Sequence, residues 1–346
     1  MTQFVDWELA ARTARALGKT GPAVTFEEAA SVVSDLRRLA EEAAGHVAAF
    51  TGMEARPSPV RVVDRPDWAQ ANIDGLRQVL GPLGSKLTGS NGEPGPVARA
   101  IGTRVTAVQA GTVLAYLSGK VLGQYEIFGE ESGQLLLIAP NILDTERKLK
   151  ADPHDFRLWV CLHEVTHRTQ FTAVPWLRDH FMSEIDAFAE AGNTDAEAFA
   201  ERARRAMSTI AEAARDPEGR TSVIDAVTTD DQREVIARIT ALMTLLEGHA
   251  EFVMDGVGPE VIGTVAEIRQ NFNKRRGGGN PLERVVRKLL GVDVKLRQYA
   301  EGRAFVEAAV EQVGMATFNR VWTSPETLPT LDELSDPSAW VARVCT

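Results

Sequence analysis

His163-Glu164-Val165-Thr166-His167 puts two imidazoles four residues apart. On a helix such residues stand one turn above each other, so both rings face one point in space. Neutral imidazole is a good ligand for Zn²⁺, and two of them with a third side chain leave one coordination position open to water. Glu164 sits beside the first ring, where a carboxylate must be to take a proton from that water. The chemistry implied is metal-assisted hydrolysis, with His163 and His167 as ligands and Glu164 as the base.

The residues around the motif predict the helix it needs. Asp152 is placed to cap an N-terminus, Pro153 suits the first helical position, and Asp155 suits the first turn. Phe156, Trp159, Val160, His163, Glu164 and His167 fall on one side at helical pitch, and Leu158, Leu162 and Val165 on the other. A helix apolar on both sides is buried between layers. Cys161 precedes the motif, but its side chain is turned about 160° from His163, which makes it a core residue rather than a ligand. His46, His154 and His180 read as structural or surface histidines.

A third ligand must come from elsewhere. The extended pattern with Gly and His three and six residues beyond the second ligand is excluded, because Gln170 and Ala173 stand there. Segment 231–256 supplies candidates. Ile236, Ile239, Met243, Leu246, Ala250, Val253 and Met254 make it an amphipathic helix, with Gly256 as its expected C-terminal stop. Glu247 lies on its apolar face, where an unpaired carboxylate is costly and a metal would account for it. Glu251 lies one turn further on. His249 is rotated about 200° from Glu247, so the two cannot share one ion from an unbroken helix. Glu247 is favoured, with Glu251 and His249 as the alternatives. Gly248 would let two helices approach closely.

Elsewhere the chain reads as helix with a little sheet. Thr25 opens a helix carried by Val32, Val33, Leu36, Leu39 and Ala43. Val60 to Val63 reads as a short strand or extended linker, and Asp67 starts another helix. Residues 81–97 are crowded with Gly, Pro, Ser and Asn, and a helix of small residues follows over about 98–119. Gly123–Gly129 and Gly133–Pro140 form a strand pair, and such a strand beside a metal helix is suited to pair with extended peptide.

The bulk numbers exclude several classes. A net charge of −10 over 346 residues argues against nucleic acid as a general partner. No stretch approaches 18 uninterrupted apolar residues, so no membrane span is expected. The first residues have neither the basic nor the apolar region of a secretory signal. Two cysteines in such different settings do not indicate a disulfide framework, and a cytoplasmic location is expected.

On His163-Glu164-x-x-His167 and the later Glu247-Gly248-His249-Ala250, the sequence resembles the gluzincins of the zincin superfamily. More narrowly, it is similar to an actinobacterial zincin-like family whose label associates it with biosynthesis of a deazaflavin coenzyme. That narrower likeness rests on Gly123-Gln124-Tyr125, Ala139-Pro140-Asn141, Trp159 to Glu164, Pro175-Trp176-Leu177, Glu247 to Glu251 and Gln298-Tyr299, and spans nearly the whole chain. The gluzincin likeness covers only the motif pieces. About 80 residues separate His167 from Glu247, more than the short gap of better-studied gluzincins, which implies a helical insertion over about 175–230.

The resulting expectation is a mainly α protein with a small β-sheet, zincin-like with helical additions. Residues 1–97 form a helical region packed on the catalytic part, 98–346. The expected activity is hydrolysis of a peptide or small amide at a Zn²⁺ held by His163, His167 and Glu247. The alternatives are a non-peptide amidohydrolase in coenzyme or cell-wall metabolism and a catalytically silent binding scaffold. The resemblance makes Tyr299 the first choice to stabilise the oxyanion, ahead of His249, Arg297 and Arg303. The basic, glycine-rich run Lys274 to Pro281 reads as a connector or a cap over the cleft.

Overall fold

The computed structural model describes residues 5–87, 96–129, 133–191, 228–276 and 292–345. It is mainly helical with one three-stranded sheet. β1 (Val60–Val63), β2 (Gly123–Glu126) and β3 (Gln134–Ile138) lie in the order β1-β3-β2. β1 runs parallel to β3, with Val60 opposite Leu135, and β2 runs antiparallel to it, with Tyr125 opposite Leu135. The strand pair read from the sequence is present but shorter, because Glu126 folds back to accept from the backbone N–H groups of Phe128 and Gly129 and ends β2.

Alternation along β3 divides the core. Leu135 and Leu137 pack with α2 (Phe26–Thr51) and α6 (Pro153–Ala173). Leu136 and Ile138 face α1 (Trp7–Leu17), α3 (Arg65–Leu87) and α4 (Pro96–Ser118). A strand with both faces buried reads as a continuous apolar run, as Leu135-Leu136-Leu137-Ile138 does. β3 passes directly into α5 (Ala139–Leu149), where Asn141 is buried. Its amide donates to Ser118 O and Val121 O, and its Oδ1 accepts from Arg65 Nε at 2.6 Å. Arg157, also buried, ties α6 to α5 and α2 through Glu146 and Asp35.

After α7 (Leu177–Ala191) the long helix α8 (Asp230–Val261) begins with a capping box between Thr229 and Gln232. Val253, Met254 and Val257 join the core around α6. Leu242, Leu245 and Leu246 belong to a second core with α10 (Val292–Val313) and the C-terminal aromatics Phe318, Trp322 and Trp340. α8 does not stop at Gly256. It continues through Gly256 and Pro259 because Gly256 is a contact point, not a cap: a Cβ there would sit 2.2 Å from the Phe50 ring. α9 (Val265–Arg276) follows, and α11 (Met315–Phe318), α12 (Leu331–Ser335) and α13 (Pro337–Val344) complete the second core. The middle of the expected insertion, 192–227, and the glycine-rich run from 277 lie outside the described residues. Among the described residues no helix is long and apolar enough to cross a membrane.

Candidate metal centre

α6 starts where its sequence says it should. Asp152 accepts from Asp155 N at 3.0 Å, and Pro153 occupies the first turn. Asp155 in turn accepts from Thr264 N and Oγ1 at 2.9 and 2.7 Å, which fixes the far end of α8 and the start of α9 against this terminus. Most of α6 is buried, including Phe156, Leu158, Trp159, Cys161, Leu162 and Val165. Cys161 points into the core beside Leu36 O, and burial pushes its thiol far up.

His163 and His167 stack one turn apart with ring centroids 4.8 Å apart and planes nearly perpendicular. Their Nε2 atoms are 3.2 Å from each other, and each lies 3.5 Å from Oε2 of Glu247 on α8. Glu247 Oε2 is buried and has no hydrogen-bond partner. Two facing lone pairs and a carboxylate oxygen converge here, an arrangement that requires a cation or a proton between them. A tetrahedral ion at 2.0–2.1 Å from each donor would space the donors roughly 3.3 Å apart, and the observed spacings bracket that value. The donor set therefore fits a zinc-sized ion. Within the triangle the three groups also act on one another. Burial alone would lower the His167 pKa, but the adjacent Glu247 carboxylate more than offsets this and pushes it up to about 9. Burial likewise works to raise the Glu247 pKa, yet the two imidazoles hold it well below the usual carboxylate range.

Of the alternatives to Glu247, neither reaches the triangle. Glu251 pairs with Arg269 at 3.4 Å. His249 faces the other way, between Phe318 and Trp322, with ring centroids 6.0 and 5.3 Å away. Its pKa is lowered to about 3, by burial first and then by His167. His154 is exposed at the helix entry beside Asp155, and His180 packs edge-on against Trp176. Tyr299 and Arg297 lie on α10, their side chains outside the described residues. Arg303 pairs with Asp255 at 3.0 Å.

Gln170 was visible in the sequence only as a break in an extended motif. In the structure it is fully buried and orients His167. Its Nε2 donates to Leu246 O at 2.9 Å and to His249 Nδ1 at 3.0 Å, so its Oε1 must accept from His167 Nδ1–H at 2.9 Å. That bond puts the His167 proton on Nδ1 and turns the Nε2 lone pair toward Glu247.

Glu164 is 8% exposed and lies against β2. Burial raises its pKa, the two imidazoles oppose the rise, and Glu247 adds to it. A Cβ at Gly123 would be 2.5 Å from the Glu164 carboxylate carbon, so only glycine lets β2 come this close. Gly123→Val should therefore displace the carboxylate while leaving His163, His167 and Glu247 in place. The expected result is at least a hundredfold loss of hydrolysis at near-normal metal content, measured side by side on the purified variant. An unchanged rate would show that Glu164 does not act from this position.

The profile of a family described as zincin-like metallopeptidase matches residues 5–341. No curated protein matches the chain. Among solved structures, it is similar to the crystal structure of a putative hydrolase with a novel fold from Chloroflexus aurantiacus. The two share 29% identity over 98% of each chain, with a TM-score of 0.72. With a family match over nearly its whole length and a candidate metal triad shared between α6 and α8, the chain belongs to the zincin-like metallopeptidases.

Proposed function

We propose that this protein is a zinc-dependent peptidase that hydrolyses an amide bond, with His163, His167 and Glu247 holding the ion and Glu164 acting as general base. The observation that carries this reading is the triangle of donors 3.2 to 3.5 Å apart with a buried carboxylate immediately beside it. When bound, zinc would supply a Lewis acid that polarises the scissile carbonyl and makes water more acidic. Glu164 then accepts the water proton and returns it to the departing amine. Its raised pKa brings it nearer to the pH at which both transfers are efficient. Gln170 keeps the His167 ring in the tautomer that leaves Nε2 free.

A peptide is the favoured substrate because β2 is an edge strand. It pairs with β3 on one side, and Gly123 brings it against Glu164. An extended chain adding to its other edge would pass the base. Tyr299, three residues before Gly302 on the helix that abuts α8, is the proposed donor to the developing oxyanion.

Metal analysis of wild type and Glu247→Ala, with a peptide-pool digest read by mass spectrometry, tests the proposal. Wild type should hold about one zinc per chain and lose cleavage on chelation, and Glu247→Ala should bind zinc at least tenfold more weakly. Equal zinc affinity in the two proteins would remove Glu247 from the ligand set. A zinc-loaded wild type that cleaves small amides but no peptide would move the reading to the amidohydrolase alternative.

A further inference from the structure

Arg168 follows the second histidine of the motif. It stands one helical turn beyond Glu164, about 6 Å further along α6 and within about 40° of it around the axis. Its residue is only 6% exposed. Yet its Nε has no hydrogen-bond partner, and among the described residues no carboxylate lies within ion-pair distance of its guanidinium. The other buried arginines are treated differently. Arg65 donates to Asn141, Lys19 and Thr20, and Arg157 is clasped by Glu146 and Asp35. A buried guanidinium without a counter-charge is unfavourable, and a bound anion would relieve that cost.

Its surroundings point the same way. Arg168, Arg178 and Glu126 lie around the phenol of Tyr125, which Ser58 also faces. The Ser58 Oγ is buried beside that phenol. Arg178 uses Nε on Ile127 O at 2.8 Å. Glu126 is already committed. Its Oε1 accepts from Phe128 N and Gly129 N at 2.6 and 2.9 Å, and its Oε2 from Gln134 Nε2 at 3.2 Å. Two guanidinium groups are thus electrostatic neighbours of one phenol that a buried hydroxyl faces, and the neighbouring acid is held by a turn. The planar fork of arginine matches a carboxylate.

We propose that Arg168, with Arg178, Ser58 and Tyr125, forms a subsite for a carboxylate of the substrate, one helical turn from Glu164. The word substrate rests on the hydrolase reading, but the subsite itself does not. The carboxylate comes from an acidic side chain or from a chain terminus, and two probes separate these sources. N-acetylglutamate α-amide, which keeps only the side-chain carboxylate, reports the first, and N-acetylalanine reports the second.

Calorimetric titration of the whole protein, against chloride at matched ionic strength, should show saturable binding of one probe to wild type. Arg168→Gln should weaken that binding at least tenfold, Arg168→Lys should recover part of it, and Ser58→Ala should weaken it severalfold. Glu247→Ala should bind the probe as wild type does, so loss of the metal reading would leave this result standing. Among peptides cleaved by wild type, those with the matching carboxylate should have at least tenfold higher kcat/KM than their amide counterparts, and Arg168→Gln should erase the difference. Absence of binding beyond chloride for both probes overturns the proposal, as does equal binding by Arg168→Gln. If Arg168→Gln does not fold, Arg178→Gln decides by the same titration, and unchanged binding there overturns the proposal too.

Discussion

Glu164→Gln is expected to retain the metal of wild type and lose hydrolytic activity by about a thousandfold, within the range that general acid–base groups contribute. The argument turns on shape and charge. Glutamine fills the same volume against Gly123, so β2 and α6 keep their separation. It cannot take a proton from water, so the step assigned to Glu164 has no acceptor. None of the three proposed ligand atoms belongs to residue 164, and the Gln170 bond to His167 is untouched. Stability should hold or rise, because Glu164 is a buried carboxylate with a raised pKa and the amide removes the cost of its charge. Metal content, thermal unfolding and peptide cleavage measured on one preparation separate this outcome from a general loss of structure. Cleavage at more than a tenth of the wild-type rate, with metal in place, would assign the base elsewhere.

What could be read from the sequence was whatever is local to one helix. The cap of α6, the one-turn spacing of His163 and His167, the inward aim of Cys161 and the opposed directions of Glu247 and His249 follow from 3.6 residues per turn. Small elements bounded by Gly and Pro, such as Val60–Val63 and the β2–β3 pair, were also legible. The parallel pairing of β1 with β3 was not, because it joins segments some 75 residues apart with no turn between them to set register. Gln170 carried no signal of its own. It matters only because α8 brings Leu246 O and His249 within reach of its amide. Gly256 misled for the related reason that a glycine serves equally as a helix stop or as a site of close packing. Only the position of Phe50 distinguishes the two.

The same ambiguity gives the second large expected effect, at the crossing of α8 and α10. A Cβ on Gly248 would lie 2.1 Å from Gly302 C and 2.5 Å from Arg303 N, and a Cβ on Gly302 would lie 2.1 Å from Thr244 O. These are backbone atoms, which cannot turn aside as a side chain can. Gly248→Ala must therefore push the helices apart along a contact that carries Leu245, Leu246, Phe305 and Val306 of the second core. Overpacking usually costs 1–3 kcal/mol, and a rigid clash belongs at or above the top of that range, about 3 kcal/mol or more. For a chain of 346 residues, whose unfolding entropy is about 2.1 cal/mol/K per residue, that corresponds to a fall of roughly 4 °C or more in Tm. Gly248 adjoins Glu247, so the shift should also pull the carboxylate away from the two imidazoles and weaken metal binding. Gly302→Ala should destabilise comparably, and combining the two should not restore either, since both add atoms to one gap. Gly45→Ala is the control. It lies in α2 with nothing within 4 Å of its would-be Cβ, and should raise stability by about 0.5–1 kcal/mol through helix propensity alone. If Gly248→Ala melts within a degree of wild type while Gly45→Ala behaves as stated, the helices do not meet at their backbones, and the placement of Glu247 loses its structural support.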